Sequence, residues 1–320
     1  MDYFYLILGL VTLVFGGDFL VKGAVGIAKL FRISTLVVGM TVVSFGTSAP
    51  ELIVSLKAAM RGAPELAIGN VIGSNIANIA LVLAITVLIF PIVVDKASKW
   101  KDWPMMMFAS VLFYVFSYDL IIQWWEGMTL FLILIAYTSY LIISSRRTSK
   151  KTVLSKEEQE AEDEGKAPVW KSLLFIALGL VGLFFGARWL LDGSLNIARD
   201  LFGDSEESNR IIGVTVVAFG TSVPELVTSA VAAFRKETDI SIGNLIGSNI
   251  FNVMAVIGIT AMVKPIRVLQ SAMNFDMLWM LGISLLLLPL MLIGKKLGRW
   301  QGALLFLIYA TYTTVVIVMV

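Results

Sequence analysis

Two glutamates, Glu51 and Glu225, stand in nearly identical settings, GMTVVSFGTSAPEL at Gly39–Leu52 and GVTVVAFGTSVPEL at Gly213–Leu226. Each lies near the middle of a long apolar stretch, a depth at which an ionisable group costs several kcal/mol unless it is paired or bound to a cation. The basic residues Lys57, Arg61 and Arg235 sit six or more positions away, toward the ends of these stretches, so a structural ion pair is the weaker explanation. Pro50 and Pro224, just before the glutamates, lack an amide donor and clash with the preceding turn, and Gly46 and Gly220 loosen that turn. Both helices are therefore expected to break, freeing carbonyls around Ser44 to Thr47 and Ala218 to Thr221. Free carbonyls at membrane depth are tolerated only where they are buried or line a wet cavity. Thr47, Ser48, Thr221 and Ser222 add hydroxyls, although any one of them could instead bond back to its own helix.

A second segment is also present twice, AIGNVIGSNIAN at Ala67–Asn78 and SIGNLIGSNIFN at Ser241–Asn252. Ser74 and Asn78, four apart, share one helical face, as do Ser248 and Asn252. Gly69, Gly73, Gly243 and Gly247 read as packing surfaces; Asn70, Asn75, Asn244 and Asn249 have the chemistry of ligands, but interhelical hydrogen bonding is the favoured reading. The two copies together supply two carboxylates, hydroxyls, amides and carbonyls, with no histidine or cysteine anywhere in the chain. An all-oxygen donor set suits hard cations; Ca²⁺ accepts many oxygens in flexible geometry, whereas Mg²⁺ demands an octahedron and keeps its waters. Two carboxylates balance the charge of one Ca²⁺ or two Na⁺. The absence of cysteine and histidine excludes disulfides, soft-metal sites and an imidazole proton relay.

The elements that position these groups are membrane helices. Of 320 residues 58% are hydrophobic and 15% charged, well below the charge of a soluble domain. Apolar runs against charged breaks predict ten spans, at 3–29, 35–60, 65–91, 104–121, 126–145, 171–199, 210–234, 239–264, 274–293 and 299–319. Asp2 and the lack of a small-residue cleavage site argue that the first run stays as a helix. Gly39–Asn78 aligns without a gap onto Gly213–Asn252, 174 residues on, with 24 identities in 40 positions. LGLVTLVFGG at Leu8–Gly17 likewise resembles LGLVGLFFGA at Leu178–Ala187, and WEGMTLFLI at Trp125–Ile133 resembles WQGALLFLI at Trp300–Ile308. The expected fold is an all-α integral membrane protein of ten transmembrane helices, arranged as two inverted five-helix repeats with helices 2 and 7 broken. The first repeat is 1–145, a cytoplasmic linker follows at 146–169, and the second repeat is 170–320. An odd number of spans per repeat turns the second copy upside down, a recurring design of secondary transporters. With the N-terminus outside, the cytoplasmic loops and flanks hold 18 of the 25 basic residues, which predicts that orientation in a multi-pass protein of the cell membrane.

Both segments resemble the alpha repeats of the calcium/cation antiporter superfamily, most closely its sodium/calcium exchangers. The resemblance implies a secondary antiporter that exchanges Na⁺ for Ca²⁺ by alternating access. It implies that Glu51 and Glu225 bind both ions, that Thr47 and Thr221 give backbone carbonyls to the calcium site, and that Ser44 and Ala218 give carbonyls to flanking sodium sites. It further implies hydroxyl ligands at Ser48, Ser222, Ser74 and Ser248, with Asn78 and Asn252 as the polar pair at mid-site. In the family the first and sixth spans are long helices that slide across the core. Potassium-dependent relatives carry aspartate where this chain has Asn252, so potassium-independent exchange is expected here.

The alternative reading is a related antiporter coupled to H⁺ or K⁺, or one that carries another divalent cation. An enzyme is not expected: intramembrane serine and zinc proteases need histidine, and Tyr118-Asp119 has no second Gly-x-Gly-Asp partner. A channel would need an open path in place of a broken-helix cage. No phosphate-binding GxxxxGK[ST] loop is present to supply ATP drive. No cofactor, nucleic acid or obligate protein partner is expected, only the two transported ions and the lipid bilayer.

Overall fold

The computed structural model describes residues 2–151, 168–202, 218–294 and 296–319. The linker expected at 146–169 falls outside the described residues over 152–167, and so does Gly213–Val217 of the second motif. The described chain is helical: α1 Asp2–Phe31, α2 Thr35–Thr47, α3 Ala49–Met60, α4 Leu66–Ile89, α5 Trp103–Phe116, α6 Trp124–Lys151, α7 Val169–Phe202, α8 Ala218–Thr221, α9 Val223–Phe234, α10 Thr238–Val263, α11 Ala272–Leu292 and α12 Arg299–Met319. Seven of these are long and apolar enough to cross a membrane, and eight if the bent pair α2–α3 counts as one span.

Several boundaries differ from those read in the sequence. The run expected at 104–121 is a helix of 14 residues that stops at Phe116. The chain then turns through Ser117–Leu120, with Leu120 at φ 65°. At the other end α6 continues beyond Ser145 through RRTSKK to Lys151, because a charged extension of a helix needs no apolar partner once it leaves the bilayer.

Burial assigns a layer to each helix. The apolar windows of α4 and α10 are 78% and 83% buried, against 17% for α6, α7 and α12. The segments that carry Ser74, Asn78, Ser248 and Asn252 therefore form the centre. Leu132, Ile135, Leu174, Val181, Leu285 and Leu307 are exposed on the outer helices, an apolar belt of the kind that lipid covers.

Helices α1 and α7 run antiparallel in close backbone contact. Gly9, Gly16 and Gly23, seven apart, meet Gly186, Gly179 and Ser172. A Cβ on Gly16 would lie 2.8 Å from the backbone nitrogen of Leu183 and 3.0 Å from the carbonyl oxygen of Gly179. Small residues at a membrane helix interface allow this approach, and the pair packs as one rod against the core.

Two short ladders were not legible in the sequence. β1, Ile92–Val93, pairs antiparallel with β4, Lys296–Leu297, and β2, Ile121–Ile122, pairs with β3, Ile266–Arg267. Each joins the first half of the chain to the second, and β3 lies 174 residues beyond β1 and β4 lies 175 beyond β2. They pair backbone groups at helix ends, where the helical ladder leaves them without partners.

Candidate functional site

The backbone departs from regular helix at every segment singled out for chemistry. α2 and α3 meet at 43° across Ser48, at φ −90° and ψ 5°, with Pro50 in the first turn of α3. Ser222 repeats the geometry between α8 and α9, at φ −91° and ψ 1°, with Pro224 following. Glu51 and Glu225 consequently occupy first turns of helices, where unpaired backbone N–H groups favour a negative charge. The break is milder than the prolines alone imply. The carbonyl of Ser44 still accepts the amide of Ser48 at 3.0 Å and the hydroxyl of Thr47 at 3.4 Å. A carbonyl oxygen has two lone pairs, so this engagement does not remove Ser44 from a cation's reach.

On the central helices Asn78 opens a π-helical turn, Asn78–Leu83, and Asn252 opens its counterpart, Asn252–Ile257. Such wider turns cluster at functional sites, because they re-aim the side chains that begin them. No pattern of apolar residues in the sequence signals a π turn.

Hydrogen bonds draw several expected residues into one cluster that crosses the halves. Ser48 donates to Glu225 Oε1 at 3.3 Å. Thr47 donates to Asn244 Oδ1 at 3.1 Å and its hydroxyl lies 3.5 Å from that of Ser248. Ser44 is fully buried and donates to the carbonyl of Met40 at 2.7 Å. Glu51 and Glu225 are each 1% exposed. Among the described residues neither has an ion pair, and one oxygen of each, Glu51 Oε2 and Glu225 Oε2, has no hydrogen-bond partner. The Ser222 hydroxyl, both polar atoms of Asn78, and Asn252 Oδ1 are buried without partners as well. Ser74 is buried on α4, Thr221 ends α8 half-buried, and Ala218 begins the same short helix. Buried polar atoms are nearly always satisfied. A cluster of oxygens left over around two carboxylates is the donor set a desolvated cation needs.

The asparagines set aside as structural divide. Asn70 donates to Ser55 Oγ at 3.0 Å and to the carbonyl of Glu51 at 3.2 Å, and Asn244 donates to Ser229 Oγ at 3.1 Å. The second brace repeats the first 174 residues on, so the duplication itself was the signal that could have found the serines. Asn252 donates to Asn75 Oδ1 at 3.1 Å, and Asn75 to the carbonyl of Asn249 at 3.3 Å. Asn249 departs from the expected interhelical role and donates within its own helix, to the Leu245 carbonyl at 2.8 Å. Gly243 and Gly247 pack against Leu36 and Met40 as expected, whereas Gly69 and Gly73 face open space.

Asn244 holds both Thr47 and Ser229, and truncating it takes the shortest bond from the Thr47 hydroxyl and the amide donor from Ser229, buried bonds whose loss costs about 1–3 kcal/mol. Asn244→Ala is therefore expected to weaken cation affinity about tenfold. The check is the half-saturating cation concentration of the purified protein, and an unchanged value would show that Thr47 is placed without Asn244.

Comparison with known proteins covers the stretches that hold these residues. The profile of the family described as sodium/calcium exchanger protein matches residues 1–143 and 171–318. The sequence is 31% identical to the sodium/calcium exchanger MaX1 of Methanosarcina acetivorans over 347 aligned positions, covering 98% of each chain. It is 34% identical to the inner membrane protein YrbG of Escherichia coli over 284 positions, 88% of this chain and 86% of that one. The solved structure of the sodium/calcium exchanger from Methanococcus jannaschii superposes with a TM-score of 0.82 at 33% identity, covering 98% of this chain and 97% of that one.

Proposed function

From the premise that this chain belongs to the sodium/calcium exchanger protein family, we propose that it exchanges Na⁺ for Ca²⁺ across the cell membrane at a site built around Glu51 and Glu225. The family is one of transporters, and the chain is read as an antiporter. The observation that carries the site assignment is the pair of carboxylates, buried and without a basic partner among the described residues, with Ser48 of the first half bonded to Glu225 of the second.

The chemistry follows from charge and dryness. Two carboxylates balance one Ca²⁺ or two Na⁺. Emptied of cations, the site leaves two unpaired charges in a low-dielectric interior, which is prohibitively costly. The protein therefore reorients readily only when loaded, and that condition makes it an exchanger instead of a leak. Thr47 and Thr221 supply carbonyls at the helix breaks, and Ser48, Ser222, Ser74 and Ser248 supply hydroxyls. Asn78 and Asn252 sit between the two glutamate-bearing elements, and Ser44 and Ala218 offer carbonyls one helical turn before the breaks, toward flanking Na⁺ positions.

The ten helical runs are assigned to two inverted five-helix repeats, 1–145 and 170–320, with the N-terminus outside and the linker 146–169 in the cytoplasm. The equivalent ladders and the equivalent Asn–Ser braces support this assignment, as does the basic-residue bias of the loops.

The test is Ca²⁺ uptake into proteoliposomes loaded with Na⁺. An outward Na⁺ gradient is expected to drive uptake, and its collapse to stop it. A proton gradient that drives uptake equally well without Na⁺ would overturn the reading. Because Asn252 is an amide, without the added carboxylate that would help hold an extra cation, K⁺ is expected to leave the initial rate unchanged. Stimulation by K⁺ severalfold would contradict that.

A further inference from the structure

Away from the ion site, the repeats differ where the difference has an electrostatic consequence. The match of Leu8–Gly17 with Leu178–Ala187, carried on in register, sets Asp18 against Arg188 and Lys22 against Asp192. The same two positions on α1 and α7, four residues apart, thus carry charges in reversed order. Their counterparts on the core are not reversed: Arg61, just beyond α3, and Arg235, just beyond α9, are both arginine.

In the structure Asp18 has two basic partners, one on its own helix and one beyond it. One carboxylate oxygen takes the Lys22 ammonium at 2.8 Å, and the other takes the guanidinium of Arg235. This second bond ties α1 to the end of α9. Beside it Gly17 lets α1 lie against Val227, Thr228 and Val231 of α9.

Among the described residues the mirrored contact is not made. Arg188 and Asp192 lie 3.8 Å apart, largely exposed, and the cavity of about 540 Å³ beside them is lined from α1 and α7 alone, Tyr5, Phe185, Trp189 and Leu195 among them, with no residue of α3. Among the described residues Arg61 has no ion pair. If α7 closed on α3 as α1 closes on α9, Arg61 would meet Arg188, and like charges repel.

We infer that Asp18 and Arg235 are positioning residues for the exchange cycle. Their ion pair clasps shut the membrane face at which α9 ends, and arginine at position 188 denies the opposite face an equivalent clasp. The protein therefore rests with α1 held to α9 and α7 not held to α3. The inference rests on the alternating-access reading of the two halves.

The chain contains no cysteine, so a single engineered one reports cleanly. Val231→Cys, half-buried against α1, reacts with a maleimide faster when α1 lifts from α9, and its labelling rate rises with the population of that state. Asp18→Asn or Arg235→Gln is expected to raise the rate about two- to fivefold, the scale of a partly exposed ion pair. The swap of Asp18→Arg with Arg235→Asp restores the slow rate. Arg188→Asp, on the other face, raises the rate too by giving Arg61 a partner, and adding Arg61→Gln removes that gain. A purely local packing role for Asp18 would leave Val231→Cys indifferent to position 188. Unchanged rates in the single variants, a swap as fast as they are, or indifference to Arg188→Asp would each overturn the inference. Labelling does not depend on ion flux, so its failure leaves the glutamate site standing. Loss of flux in the glutamate variants likewise leaves the clasp standing.

Discussion

Glu51→Gln and Glu225→Gln are each expected to abolish Na⁺-driven Ca²⁺ uptake while the protein still inserts and folds. Both side chains are about as buried as any in the molecule, neither has a basic partner among the described residues, and each leaves an oxygen unsatisfied. Glutamine keeps the shape and removes the charge, so the folded protein loses nothing it relied on. Calcium loses half the charge that balances it, in a place where water cannot make up the difference. Removing one partner of a buried charge pair costs about 3–5 kcal/mol, which weakens binding by roughly 10²–10³-fold. Initial uptake rates across a Ca²⁺ series check this. A variant that retained more than a tenth of wild-type exchange at low Ca²⁺ would show that the carboxylate it lost is not a ligand.

The second large effect lies far from the ion. Gly16→Val is expected to stop exchange almost completely and to lower thermal stability in detergent. Its Cβ would sit 2.8 Å from Leu183 and 3.0 Å from Gly179, both backbone atoms of α7, which cannot swing aside as a side-chain tip can. Overpacking a tight interface costs about 1–3 kcal/mol, occasionally more. Here the strain falls on the α1–α7 rod, the element the family resemblance assigns to sliding. Gly282, which faces open space on α11, supplies the control: Gly282→Val should leave exchange and melting temperature near wild type. Equal behaviour of the two variants would argue against a close-packed moving pair.

What the sequence made legible was largely what duplication repeats. The paired glutamates, the Ser–Pro breaks and the second segment with its Ser and Asn faces could be read twice, and each copy corroborated the other. Helix existence followed from apolar runs, because a bilayer leaves helix as almost the only way to satisfy the backbone. The ends were less legible: α5 stops at Phe116 and α6 runs on to Lys151, since turn geometry and solvated extensions leave little trace in hydropathy. The π turns at Asn78 and Asn252 and the two-residue ladders depend on tertiary placement and had no local signal. The same holds for the bond from Asp18 to Arg235. Helical spacing sets Asp18 against Lys22, and only the fold reveals a second partner more than two hundred residues away.

Equilibrium Ca²⁺ binding to the purified protein, with Na⁺ as competitor, tests the central claim most directly. Wild-type protein should bind Ca²⁺ saturably and release it as Na⁺ rises, and the double variant Glu51→Gln with Glu225→Gln should bind none while eluting as a folded species. Saturable, Na⁺-displaceable Ca²⁺ binding that survives in the double variant would place the ion elsewhere in the molecule and contradict the account.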